Sequence, residues 1–582
     1  MRVSLLPAAV LAALLLTGCG EDPPPSPPAT TTTAAAPGAA SAPATDTPAA
    51  DGVVPVPPTG NSGVPEPQLA SYTQYLKDIS ADALEGRGPG TAGEKRTVGY
   101  LVEALKQIGL APGPDGSYTQ AVPMVEFTAE VSKPLTFMAA EQSLQPKFAD
   151  DYVIASHREL EESAVSGAEM VFVGYGVVAP EYNWNDYAGV DVKGKVVVTL
   201  VNDPGFARGD ESLFKGRAMT YYGRWTYKYE EAARQGAAGA LIIHDDAGAS
   251  YGWDVVKNSW TGPEYDLPAP ADGVQPLAVQ GWLNGATGAA LLQQSGLDLA
   301  TLRDAADRPG FKPQPLKSLV EVGVKNRIRK VDSQNVFGML KGTEKPTEAV
   351  IYVAHWDHLG RSFGQPDGIF NGAIDNGTGV AGVLEIARAM AAGSPPKRSV
   401  GFLFVTLEES GLLGSKYYTQ HPLFPLKDTV AAINLDAMHV IGPTRDMIVI
   451  GHGNSELETI LAAQLKAQGE RVVRPEPTPE NGFYYRSDHF NFAKAGVPAL
   501  YPKTGVEHRE KGQAYGQSIV DDYNKNRYHK PADQFDPAWD LRGMIEDLNV
   551  IQAVGAELAN GDAWPNWNAG NEFKAARDRL RP

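Results

Sequence analysis

A histidine and an aspartate one residue apart, His355 and Asp357, close the apolar run Val350-Ile351-Tyr352-Val353 in the stretch A-H-W-D-H-L-G. After a glycine-rich loop, N-G-A-I-D-N-G-T-G brings Asp375 to the start of a helical run. Two more apolar runs end the same way: Phe402 to Leu407 stops at Glu408-Glu409, and Ile433-Asn434-Leu435 stops at Asp436. An unpaired buried charge at a strand end is strongly disfavoured, and a bound cation removes the objection. Neutral imidazole with carboxylate oxygen suits zinc, and two close ions require a carboxylate that bridges them. Glu408 and Glu409 are neighbours, so their side chains diverge in an extended segment, which suggests one ligand and one general base. His529 lies in a loop before a proline, where a ligand is easily presented. His358, His489 and His508 are further candidates by type. His358 would need a turn directly after the strand, and His489 can equally serve the fold.

These residues need a scaffold that brings strand ends together. The pattern predicts strands over 349–354, 400–407, 430–435, 446–450 and 497–501, and helices over 376–392, 455–468 and 540–559. Such alternation implies an α/β fold with a mostly parallel mixed sheet sandwiched by helices, whose chemistry gathers at the carboxyl ends of the strands. From Leu319 to Leu340 apolar and polar residues alternate, which reads as antiparallel edge strands. Upstream, Leu69 to Ile79 and Ala92 to Ile108 have helical spacing, with the loop L-E-G-R-G-P-G between them. Two such helices read as packing elements, and nothing in the sequence sends Arg87 to the site.

Residues from about 130 to 318 read as a separate β-rich unit, with strands near 170–177 and 195–201, a helix near 229–235 and a helix-to-strand step through G-A-A-G-A-L-I-I. His244, followed by Asp245 and Asp246, reads as a strand ending in a polar loop. The chain of 582 residues carries 51 basic and 69 acidic side chains, a net charge of -18, which leaves no basic excess for nucleic acid. Its single cysteine excludes an internal disulfide. That residue, Cys19, follows Arg2, an apolar run from Leu5 to Leu16 and Thr17-Gly18, the arrangement of an export signal. Residues 20–66 are rich in Pro, Ala, Thr and Ser and read as a disordered, extended tether. No other stretch is long and apolar enough to be a transmembrane helix.

Taken together, A-H-W-D-H, G-A-I-D-N-G-T-G, E-E-S-G-L-L-G-S, N-L-D, R-S-D-H-F and Y-H-K-P-A-D resemble the co-catalytic di-zinc aminopeptidase family, shared with glutamate carboxypeptidase, the transferrin receptor and glutaminyl cyclase. The resemblance covers roughly residues 68–575, and the segments F-V-G-Y-G-V, D-V-K-G-K-V-V-V and G-A-A-G-A-L-I-I resemble a protease-associated insert. It implies a zinc-exopeptidase, phosphorylase/hydrolase-like fold divided into 67–130, the insert 131–318, and 319–582. It also implies two Zn²⁺ per chain, other divalent ions being alternatives, with Asp375 as bridge, His355 and Asp436 completing one site, and Glu409 and His529 the other. Glu408 matches the general base, Asp357 the acid that orients the first histidine, and Tyr485 lies near where some members place a phenol for the oxyanion. The implied activity is hydrolysis of N-terminal residues from peptides. The alternatives are a carboxypeptidase or dipeptidase of the same family, or a non-catalytic receptor that binds through the insert. The segment ending at Cys19 resembles a bacterial lipobox, which implies residues 1–19 as signal peptide, lipid attachment at Cys19, and a place on the outer membrane facing the periplasm.

Overall fold

Three apolar runs with few polar interruptions have to be buried on both faces, and a parallel sheet covered by helices provides that. The computed structural model describes residues 65–140, 142–362, 367–469 and 471–581, so Cys19, the export signal and nearly all of the tether lie outside the described residues. The strands that matter are, in chain order, β1 (Thr119–Met138), β2 (Tyr152–Ala155), β3 (Glu162–Phe172), β4 (Val196–Leu200), β5 (Gly239–Ile243), β6 (Glu264–Asp266), β7 (Val279–Leu283), β8 (Gln314–Leu340), β9 (Lys345–His355), β10 (Arg398–Val405), β11 (Thr429–Asn434) and β12 (Ala499–Leu500). Among the described residues they form one sheet of 12 strands in the order β12-β11-β9-β10-β8-β3-β4-β5-β7-β2, with β1 on β8 and β6 on β1. The predicted α/β fold with a large, mostly parallel sheet is observed.

Register explains why the chemistry gathers at one place. Strands β9, β10 and β11 are parallel neighbours, with His355 opposite Val405 and Val353 opposite Asn434. Glu408 therefore stands three residues beyond the end of β10 and Asp436 two beyond the end of β11, on the edge where His355 ends β9. Helices Gly379–Ala391 and Arg542–Asn560 contribute to the same apolar core as Val350, Tyr352, Ala354, Phe402 and Phe404. The helix predicted from residue 376 begins at Gly379, because Asp375 and Asn376 hold non-helical angles. Asn376 Oδ1 accepts the Gly379 N–H at 3.0 Å, which frees Asp375 to face the strand ends.

The stretch expected to form edge strands is interior. β8 is one strand of 27 residues, paired antiparallel with β1 from Thr119 opposite Val336 to Met138 opposite Leu319. Its last residues also pair with β10 and its first residues with β3. The ribbon thus carries the sheet from the β9–β11 core into β3, β4, β5, β7 and β2, whose apolar residues form cores of their own. The alternation came from a ribbon with unequal faces, a pattern that resembles an edge.

The first two helices do more than pack. Helix Leu69–Ile79 buries Tyr72, Leu76 and Ile79, one face of three turns. Helix Ala92–Ile108 is capped by Thr91, whose hydroxyl accepts from Gly93 and Glu94 N–H. Between them Gly86 holds φ of 68° where an added Cβ would lie 2.1 Å from the Gly360 carbonyl oxygen, so only glycine fits. That close approach carries Arg87 inside. Its Nε donates to Trp356 O at 2.7 Å, Nη1 to Ile79 O and Asn371 O at 2.8 and 2.5 Å, and Nη2 to Gly372 O at 3.0 Å. One fully buried guanidinium joins the helix pair, the end of β9 and the loop before Asp375. Gly372 O would keep the Gly377 N–H, but Trp356 O, Ile79 O and Asn371 O would lose their guanidinium donor, so Arg87→Met should lower stability by about 3 kcal/mol or more. Chemical denaturation monitored by circular dichroism checks this; an unchanged midpoint would exclude the structural role.

Candidate metal centre

His355 is 1 % exposed, and its Nδ1 faces the Asp357 carbonyl oxygen at 3.2 Å. With Nδ1 as donor there, Nε2 is the free acceptor, and it lies 3.3 Å from both Asp375 Oδ1 and Asp436 Oδ1. His529 Nε2 lies 3.2 Å from Asp375 Oδ2 and 3.1 Å from Glu409 Oε2. Asp375 thus presents one oxygen to each histidine. Two trios have ligand atoms within 4.8 Å of one another: His355 with Glu408 and Asp436, and His358 with Asp375 and Glu409.

Neighbouring groups set these side chains. Asp357 is fully buried, and its Oδ1 and Oδ2 accept from the Glu408 and Glu409 N–H groups at 3.2 and 3.4 Å, fixing the turn after β10. Asp533, likewise buried, accepts from Ile374 N at 3.0 Å and Asp375 N at 3.1 Å. Asn376 Nδ2 donates to Leu435 O at 2.9 Å, tying the Asp375 loop to the Asp436 strand end, and the Asp375–Asn376 peptide is cis. Leu407, Ala437 and His529 hold φ of 58°, 44° and 54°, left-handed values that cost non-glycine residues energy and recur at functional sites.

Electrostatically the cluster is overloaded with negative charge. Asp357, Asp375, Glu408, Glu409, Asp436 and Asp488 share one buried region, with Lys503 and Arg87 as the full cations among the groups they feel. Burial, with Asp436, Glu409 and Asp488 adding to it, raises Glu408 well above the usual carboxylate range. Asp436 is held at about 2, burial being outweighed by Lys503 and His355. Divalent cations would neutralise the surplus, and the nitrogen and oxygen donors present fit them.

The structure gathers His355, Asp357, Asp375, Glu408, Glu409, Asp436 and His529 in one region. Tyr485 is elsewhere: its hydroxyl donates to Glu572 Oε1 at 2.8 Å. The phenols of the centre are Tyr501, which donates to Asp436 Oδ2 at 3.1 Å, and Tyr528, whose ring stacks on His529 with centroids 3.9 Å apart. Both follow recognisable signals, a strand end and a ligand's neighbour. His489 is buried between Tyr484 and Tyr501, and His508 Nδ1 accepts two backbone N–H groups at 3.0 Å, away from the ligands. His244 packs against Trp253 and Trp282 at the end of β5, as a loop residue would.

His358 had little to recommend it in the sequence, yet its Nδ1 lies 2.6 Å from Glu409 Oε1. Its signal was the turn that Gly360 makes at φ of 73°. Removing a partner that orients a ligand costs about 10- to 100-fold in metal affinity. His358→Ala should therefore weaken binding of one divalent ion by that factor in a metal titration, and His358→Gln should recover part of it; equal affinity in all three proteins would leave His358 a packing residue.

Comparison with known proteins follows the same lines. Residues 335–551 match the model of peptidase family M28. "Probable lipoprotein aminopeptidase LpqL" of Mycobacterium tuberculosis is 25 % identical over 511 residues, 84 % of each chain. Mouse "Aminopeptidase NAALADL1" is 37 % identical over 137 residues, which cover 22 % of this chain and 17 % of that protein's length. An aminopeptidase structure from Aneurinibacillus sp. strain AM-1 aligns over 86 % of this chain and 96 % of its own, at 18 % identity and a TM-score of 0.45. The family match spans the three ligand-bearing strand ends of β9, β10 and β11 and the Asp375 loop.

Proposed function

We propose that the chain is a metal-dependent exopeptidase, an aminopeptidase that hydrolyses the N-terminal peptide bond of its substrates. The single observation that carries this reading is Asp375, whose two oxygens lie 3.3 and 3.2 Å from the Nε2 atoms of two different histidines. Asp375 would bridge two ions, His355 and Asp436 would complete one site, and Glu409 and His529 the other. Zinc suits this donor set. When bound, the ions lower the pKa of a shared water and polarise the scissile carbonyl.

The chain's own residues supply the proton transfers. Glu408, raised by burial and its neighbouring acids, accepts a proton from the attacking water as the water oxygen bonds to the carbonyl carbon. As the C–N bond breaks, Glu408 returns that proton to the leaving amine. Asp357 keeps Glu408 and Glu409 in their diverging orientations through the two backbone N–H groups. The peptide class of substrate and the amino-terminal direction are supported by the relatives named as aminopeptidases.

The export signal ending at Cys19, with a relative named a lipoprotein, supports a body attached to a membrane by lipid and held off by the tether. Among the described residues no helix is long and apolar enough to cross a membrane. The unit around β3, β4, β5, β7 and β2 is proposed to be a protease-associated insert.

Zinc-restored protein should release the first residue from free peptides and leave N-acetylated ones intact; equal rates on both would defeat the aminopeptidase reading, and no cleavage of either would defeat the enzyme. Glu408→Gln should retain two ions by elemental analysis while losing about 10²- to 10⁴-fold in turnover. His529→Ala should lose one ion. Loss of both ions from the Glu408 variant would reverse the assignment of base and ligand.

A further inference from the structure

The turn that carries Glu408 and Glu409 is held by more than Asp357. Leu407, the residue before the pair, has φ of 58° and Leu412 has φ of 61°, so two leucines of one turn sit in the left-handed region. Such conformations persist only where the surroundings over-determine them. Within the turn, Glu408 O accepts from the Gly411 and Leu412 N–H groups at 3.0 Å, and Leu407 O accepts from Leu413 N–H at 3.0 Å. Around it, Leu407 and Leu413, 1 % and 3 % exposed, share one small apolar cluster with Val122 and Met124 of β1 and with Leu267. Leu267 is the outsider in that cluster. It follows β6, in the segment between β5 and β7, where Glu264 to Asp266 pair with Phe127 to Val125 of β1.

The same segment is tied to the helix that follows the turn. Helix Leu413–Gln420 starts where the turn ends, and its Lys416 Nζ donates to Asp266 Oδ1 at 2.7 Å. Asp266 Oδ2 lies 3.3 Å from His157 Nδ1, and Glu264 Oε2 lies 3.0 Å from His157 Nε2. The His157 ring in turn stacks on Phe127, centroids 5.4 Å apart and planes 3° from parallel. Burial opposes a charge on His157, but Asp266 and Glu264 outweigh it and bring the imidazole up to about 10. Burial would likewise raise Asp266, yet Lys416 and His157 hold it well below the usual carboxylate range. Asp266 is thus an anion fixed between the His157 imidazolium and the Lys416 ammonium.

We propose that β6 and Leu267 form a clasp that positions Glu408 and Glu409: Leu267 packs on Leu407 and Leu413 to hold the left-handed turn, and Asp266, set by His157, anchors the next helix through Lys416. This rests on the peptidase reading. Asp357 fixes the N–H groups of the pair itself, whereas the clasp fixes the residues before and after it. Leu267, Asp266 and Lys416 act through the turn and are positioning residues. The unit that carries β6 therefore supports the centre without lending it a catalytic group. A general base has to meet its water within hydrogen-bond reach, and a misplacement of about 1 Å costs up to about 10²-fold in rate.

The test measures kcat and KM on a peptide with a free N-terminus, zinc in excess, together with amide hydrogen exchange, in wild type, Lys416→Met, Lys416→Arg and Leu267→Ala. Lys416→Met and Leu267→Ala should each lower kcat about 10-fold while KM stays within about 2-fold. In both, the Gly411 to Leu413 amides should exchange about 10-fold faster while the β9 amides keep their wild-type rates. Lys416→Arg should restore most of both losses. Lys330→Met, which removes the neighbouring ion pair with Glu159 at 2.5 Å, should match wild type. Lys416 is half-buried, so Lys416→Met carries the test should Leu267→Ala fail to fold. If wild type cleaves nothing and the turn still loosens in the variants, the clasp stands and the peptidase reading falls. Turn amides that keep their wild-type rates, a loss confined to KM, or exchange that rises equally in β9 would each show the clasp to be wrong.

Discussion

Acids crowded at one buried edge repel one another, and the fold around them has to hold them there. Parallel strands β9, β10 and β11 end side by side, and each continues into a segment bearing a carboxylate. Such carboxylates would be expelled to solvent or protonated unless opposing charge arrived. Much of the surrounding structure prevents the first outcome. Arg87 pins the Asp375 loop and the end of β9 through backbone carbonyls, Asp533 pins the same loop through two N–H groups, and Asp357 pins the Glu408-Glu409 turn. The supports hold backbone, and the carboxylates are left free to bind.

That distinction explains which parts were legible in the sequence. Strand-end ligands declare themselves because an apolar run that stops at Glu408 or Asp436 breaks the pattern of a buried strand. The α/β layout was legible for the same reason, through apolar runs such as Val350 to Val353. Groups that act by holding backbone are harder to read. Arg87 sits in a glycine-rich loop 268 positions before His355 and 288 before Asp375, a nearness that only tertiary structure supplies, and Asp533 looks like one more acid near a proline. Tyr485 was singled out by resemblance alone, and its hydroxyl donates to Glu572, a partner that no motif in the sequence announces. β8 misled because alternation reports unequal faces and not position within a sheet.

The ribbon of β1 and β8 bears on how the chain reaches this state. Thr119 must find Val336 across the whole intervening segment, so β1 leaves the ribosome long before its partner exists. Its 20 residues are an unpaired edge during that interval, the kind of surface that joins other chains. Long-range pairing is also slow to form. A protein built this way depends on being kept apart from its copies while young, and the folded protein covers that early hazard by pairing β1 along β8.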